Sequence, residues 1–183
     1  MKRLLPLLLL LAPSTAFAHA GAHGATLLSG FLHPLGGLDH ILAMLASGLL
    51  AGVTGGRAVW TMPVTFLAAL LAGAGLGASG IMMPAVEPMI LASIVLLGAV
   101  VALRVHLPPV AILPVIAIFG IVHGHAHGTE GPASGFPGYA AGFTLATAGL
   151  HLAGLGLGRA FKGIPARLLG SGTAMGGLAL AFV

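Results

Sequence analysis

Two compact clusters hold most of the chemistry this chain could perform. The first runs His33-Pro34-Leu35-Gly36-Gly37-Leu38-Asp39-His40, and the second His123-Gly124-His125-Ala126-His127-Gly128-Thr129-Glu130. With His151 and Glu87, these ionisable groups fall inside or beside long apolar stretches. In hydrocarbon such a side chain costs at least ~2.5 kcal/mol even on the most lenient scale, so it is rare and marks function. Imidazole and carboxylate together are the ligand set of a divalent transition metal, imidazole suiting nickel, copper, zinc and iron. The pattern predicts a protein that passes metal ions through a membrane.

Spacing gives each group an expected place. His33 and His40 are seven residues apart, nearly two turns, and would share one face of a continuous helix. Asp39 lies about 100° round from His40, and Pro34 with Gly36 and Gly37 can kink the helix and bring it inward. Met44, one turn beyond His40, reads better as a packed methionine than as a thioether ligand. In the second cluster His123, His125 and His127 alternate, followed by Glu130. Glycines at 124, 128 and 131 allow non-helical backbone there, tolerated at membrane depth only where protein or a water-lined cavity covers it. Glu87 opens the third span just before Pro88, on the same side. His151 falls ~22 Å from the outer start of its span. The donors therefore form a ladder from the outside inward, which suits conduction better than one closed cage. His106 falls in a loop and reads as solvated.

The elements that must position these groups are membrane helices. The chain of 183 residues is 58% hydrophobic and 5% charged, against about 45–50% and 25% in soluble domains. At about 20 apolar residues per span, it holds six spans and no sizeable soluble domain. They are predicted over about 26–52, 58–78, 86–103, 109–126, 136–158 and 164–182. Lys2 and Arg3, the apolar run from Leu4 to Leu11 and Ala16-Phe17-Ala18 form a secretory signal over 1–18. Domain organisation is then 1–18 signal peptide and 19–183 a six-helix membrane domain. Cleavage after Ala18 would expose His19 as a new N-terminus, whose amine and ring, with His23, could capture metal. Arg57, Arg104, Arg159, Lys162 and Arg167 all fall in or beside loops on one side, which the positive-inside rule makes cytoplasmic. Both termini would then be periplasmic, in a bacterial inner membrane. Small residues repeat at four-residue spacing at Gly73/Gly77, Gly138/Gly142, Gly154/Gly158 and Gly172/Gly176, the pattern of closely packed membrane helices.

Composition also excludes several classes. With no cysteine, thiolate zinc sites, disulfides and iron–sulfur clusters are ruled out. There is no phosphate-binding loop for nucleotide hydrolysis. The seven basic residues form no stripe for nucleic acid. The partners implied are the metal ion as substrate and the lipid bilayer, and a homo-oligomer is compatible with both.

The two clusters resemble the HupE/UreJ family of nickel and cobalt permeases. Its first-helix pattern, H-P-x-x-G-x-D-H, matches the run from His33 to His40, with His33, Pro34, Gly37, Asp39 and His40 at the fixed positions and Gly36 between them. Its second, H-G-x-A-H-G-x-E, matches His123, Gly124, Ala126, His127, Gly128 and Glu130. The Phe that often precedes the second motif is replaced by Val122, and the spacing of Phe66 and Glu87 is also similar. The resemblance spans essentially the full chain and implies uptake of nickel or cobalt for metalloenzymes, with no permanent cofactor and no enzymatic activity. Three alternatives stand beside it. One is a copper or zinc importer of the same fold. Another is a membrane haem protein with His40 and His123 or His151 as axial ligands. The third is an intramembrane serine protease built on Gly77-Ala78-Ser79-Gly80.

Overall fold

A computed structural model describes residues 26–182. The expected signal peptide and the histidines at 19 and 23 lie outside the described residues. Within that range the chain is all-helical, as expected: α1 (Leu27–Leu32), α2 (Leu38–Thr54), α3 (Ala58–Ala78), α4 (Val86–Ala102), α5 (Pro109–Glu130), α6 (Phe136–Ala160) and α7 (Ile164–Leu180). Helices α3, α5 and α6 are long and apolar enough to cross a membrane, and α2 and α4 are shorter apolar helices of 17 residues.

The predicted first span is broken in two. Helix α1 starts on a capping box, in which Thr26 accepts from the Ser29 amide at 3.1 Å and Ser29 returns the bond to the Thr26 amide. It ends at His33, and the chain turns through Pro34 to Gly37, with the Leu35 amide bonded to Leu32 and the Gly36 amide to His33. Proline supplies no amide to continue the ladder. His33 and His40 therefore do not share a face of one continuous helix; they flank a break. Helix α2 restarts with Gly37 as its N-cap and Asp39 in its first turn, where the positive end of the helix dipole favours a carboxylate.

The glycines of the second cluster work differently from the loosened backbone expected of them. Helix α5 stays regular through Glu130. A Cβ at Gly120, Gly124 or Gly128 would collide with the carbonyl oxygen of Phe66, Leu70 or Ala74 on α3. The glycines of α3 reciprocate, Gly73 against Ile121 and Gly77 against His125. The same device pairs α2 with α6, through Gly48 against His151 and Gly154 against Leu45, and α4 with α7, through Gly98 and Gly170. Close backbone approach of this kind packs membrane helices in the absence of a water-driven hydrophobic effect. Of the predicted small-residue pairs, Gly73/Gly77 and Gly154/Gly158 do this, and so does Gly142 against Leu27. Gly172 faces open space and Gly176 meets only a Leu42 methyl.

Charge divides the bundle by its ends. Asp39, Glu87 and Glu130 sit where α2 and α4 begin and α5 finishes. Arg57, Arg104, Arg159, Lys162 and Arg167 sit at or beside the opposite helix ends. Between the two ends runs an apolar core centred on Phe66, Leu70, Leu97, Ile116 and Phe143.

Candidate metal path

The break before α2 and the unbroken α5 bring the two sequence clusters face to face. His123, His127 and Glu130 lie at i, i+4 and i+7, one face of a helix. His33 Nε2 meets Glu130 Oε2 at 2.9 Å. The His127 ring is 5.0 Å from the His33 ring and 4.8 Å from that of His40, centroid to centroid, and His40 is 5.5 Å from His123. Side-chain exposure falls along this line, from 50% at Glu130 to 29% at His33 and 13% at His40, and to nothing at His127 and His123. The order runs from the acidic end into the bundle.

Hydrogen bonds prepare the ring nitrogens. The His40 Nδ1 lies 3.0 Å from Asp39 Oδ1, an oxygen that also accepts from the His40 amide at 2.8 Å. The His123 Nδ1 donates to the Phe119 carbonyl at 2.8 Å. Each contact places the proton on Nδ1 and leaves the Nε2 lone pair free, the arrangement that fixes the tautomer and ring orientation of a metal-ligating histidine. Those nitrogens, His40 Nε2 and His123 Nε2, are buried without a hydrogen-bond partner among the described residues, as are both ring nitrogens of His127. Leaving a buried polar atom unpaired costs about 1–3 kcal/mol, so a cluster of four such atoms is a cost a structural network would have removed. Among the described residues no three His, Asp or Glu side chains are arranged to hold one ion together. The donors are gathered, not closed into a shell.

Aromatic side chains wall the cluster. Phe143 stacks on His127 at 5.0 Å, and Tyr139 meets His33 edge-on at 5.5 Å with its hydroxyl buried and unpartnered. Phe66 lies between levels, 5.5 Å from His123 and 4.8 Å from His151. His151 is buried below, its Nδ1 donating to the Thr147 carbonyl at 2.8 Å and its Nε2 3.1 Å from the Ser47 hydroxyl. Tyr139, Phe143 and Ser47 were not singled out from the sequence. The signal was there: Tyr139, Phe143, Thr147 and His151 recur every four residues along α6, and His40, Met44 and Ser47 share a face of α2.

Other predicted site residues lie elsewhere. His125 is buried but on the far side of α5, where its Nε2 donates to the Ile81 carbonyl at 2.7 Å and ties α5 to the α3–α4 loop. Its place in an alternating cluster is thereby corrected: on a helix, alternate residues point apart. Glu87 is exposed in the first turn of α4 and hydrogen-bonds to none of the cluster. Met44 is fully buried, in keeping with the packed reading. His106 is exposed in the loop before α5. The protease arrangement does not form, since Ser79 caps α3 by donating to the Gly75 carbonyl at 2.6 Å while His151 pairs with Ser47. The 5.5 Å edge-on contact of His40 with His123 leaves no gap for a macrocycle between them.

Comparison with known proteins agrees with the pattern of the two clusters. The chain matches the HupE / UreJ protein family over residues 7–180. It is 46% identical over 121 residues to Protein HupE of Rhizobium leguminosarum bv. viciae, a stretch covering 66% of this chain and 63% of that protein. The match therefore spans a little under two thirds of the relative's length. No solved structure matches.

Proposed function

The chain belongs to the HupE/UreJ family, which is associated with nickel and cobalt transport, and from that premise we propose that it imports a divalent metal, nickel or cobalt, across the bacterial inner membrane. The metal is collected at the acidic end, taken as periplasmic, by Glu130 and His33. It passes to His40, His127 and His123, with Asp39 supplying compensating charge, and then past Phe66 to His151. Neutral imidazoles bind without adding charge, and the two carboxylates offset the charge of the ion. The observation that carries the reading is the convergence of unpartnered, buried ring nitrogens behind two graded carboxylates. Donors that are gathered without closing a cage exchange an ion between partial sites instead of trapping it.

Metal uptake into proteoliposomes, with nickel, cobalt, copper and zinc offered in competition, tests this. Nickel or cobalt uptake that persists against the other two supports it. Preferred uptake of copper or zinc would move the reading to an importer of those metals, since copper leads the affinity order at any nitrogen-rich site. If no metal crosses, the path is refuted.

A further inference from the structure

At the basic end the helices splay around a cavity of about 330 Å³. Its floor is apolar, formed in part by Leu50 and Met62. Its rim carries Arg104, His106, Lys162 and Arg167, from the α4–α5 loop, the α6–α7 loop and the start of α7. The positive-inside tendency explains why basic residues lie at this end, but not why these converge. Arg57 and Arg159 lie at the same end and do not line the cavity.

Two features of the rim favour an anion there. Arg104 has φ +55°, a left-handed conformation that favours glycine. It is the position after the α4 C-cap, where the Arg104 amide bonds to Val101 and the Val105 amide to Val100, the helix ending at which glycine is usual. An arginine there keeps a strained backbone in exchange for its side chain. Arg167 donates its Nε to the Ala102 carbonyl at 2.9 Å, which ties it to the same helix end. Charge is the second feature. Every carboxylate side chain of the protein is at the other end of the bundle, and among the described residues the acidic side chains Asp39 and Glu130 pair only with histidines. The cationic rim has no counter-ion of its own.

We infer that this cavity is a binding site for a phosphate-bearing anion, held by Arg104, Lys162 and Arg167. Arginine and lysine around a half-open recess supply charge-assisted donors to tetrahedral oxyanions. The anion is either free phosphate or the headgroup of an acidic lipid whose chains follow the apolar floor. The site is separate from the metal path and does not depend on it.

The test uses the full chain in nanodiscs of pure phosphatidylcholine, with inorganic phosphate titrated calorimetrically, and parallel discs containing phosphatidylglycerol, with retained lipid counted by native mass spectrometry. Arg104→Gly suits the left-handed backbone, so its melting temperature should hold or rise while phosphate affinity falls about tenfold or more, the loss expected for a hydrogen bond to a charged group. Arg159→Gln should leave affinity unchanged. Phosphate binding in phosphatidylcholine that is sensitive to Arg104→Gly identifies the free anion. Phosphatidylglycerol retained by the unaltered chain, lost with Arg104→Gly and blocking phosphate, identifies the headgroup. Absence of both, or equal losses in Arg104→Gly and Arg159→Gln, overturns the inference.

Discussion

Asp39→Asn separates charge from orientation in the proposed metal path. The Asp39 Oδ1 accepts from both the amide and the ring Nδ1 of His40, at 2.8 and 3.0 Å. An asparagine oxygen can keep both bonds, so the substitution removes the negative charge and little else. An ion on the His40 Nε2 would sit roughly 7 Å from that oxygen, one imidazole ring and one metal–nitrogen bond of about 2.1 Å beyond the ring contact. At an effective dielectric of about 20, a divalent ion and a carboxylate at that distance attract by roughly 5 kcal/mol. Asp39 is 26% exposed, so solvent screens part of this. What survives should match the 10- to 100-fold loss of affinity typical when the partner of a metal-ligating histidine is changed, about 1.4–2.7 kcal/mol. Initial uptake rates in proteoliposomes, measured over a wide metal range, should show half-saturation rising by about that factor. Asp39→Ala should do worse, because His40 also loses the partner that sets its tautomer. An unchanged half-saturation in Asp39→Asn, at normal protein level in the membrane, would refute the idea that this carboxylate offsets the charge of the ion.

Of the three buried histidines on α5, His125 and His127 should behave oppositely. His127→Ala should abolish uptake, while His125→Ala should leave it within about twofold and lower stability by about 0.5–1.5 kcal/mol through loss of the Ile81 bond; equal transport defects would contradict the helical placement. Uptake at limiting metal should fall as external pH drops from about 7.5 to about 5.5, because protons compete with metal for imidazole nitrogens. A profile flat in pH would argue against histidine ligands at the entrance. Gly124→Ala should lower the melting temperature in detergent, its Cβ driving into the Leu70 carbonyl at a cost of about 1–3 kcal/mol or more. Gly149→Ala, with nothing near its Cβ, should be neutral, and similar melting of the two would remove the glycine contacts from the packing argument.

Much of this protein was legible in its sequence because the deciding physics is local. Hydropathy run length set the helix extents, which differ from the expected spans by only a few residues at most ends. Basic residues in loops alone separated the two ends of the bundle. Rare ionisable groups in apolar surroundings named most of the side chains that the fold gathers into the proposed metal path. What stayed hidden depends on long-range contact. Whether α5 loosens or stays helical at His123–Glu130 is decided by α3, whose carbonyls demand glycine at 120, 124 and 128. That continuity turns His125 away to Ile81 and leaves His123 and His127 inward, a choice the alternating spacing could not make. The break at Pro34–Gly37 has a local cause, but its effect, placing His33 on Glu130 and His40 beside His127, needs the partner helix in place. The Ser47–His151 pair joins residues 104 apart. Residue type and period declare what a segment can do alone; which face meets which is settled only when backbones pack closely enough to exclude every other arrangement.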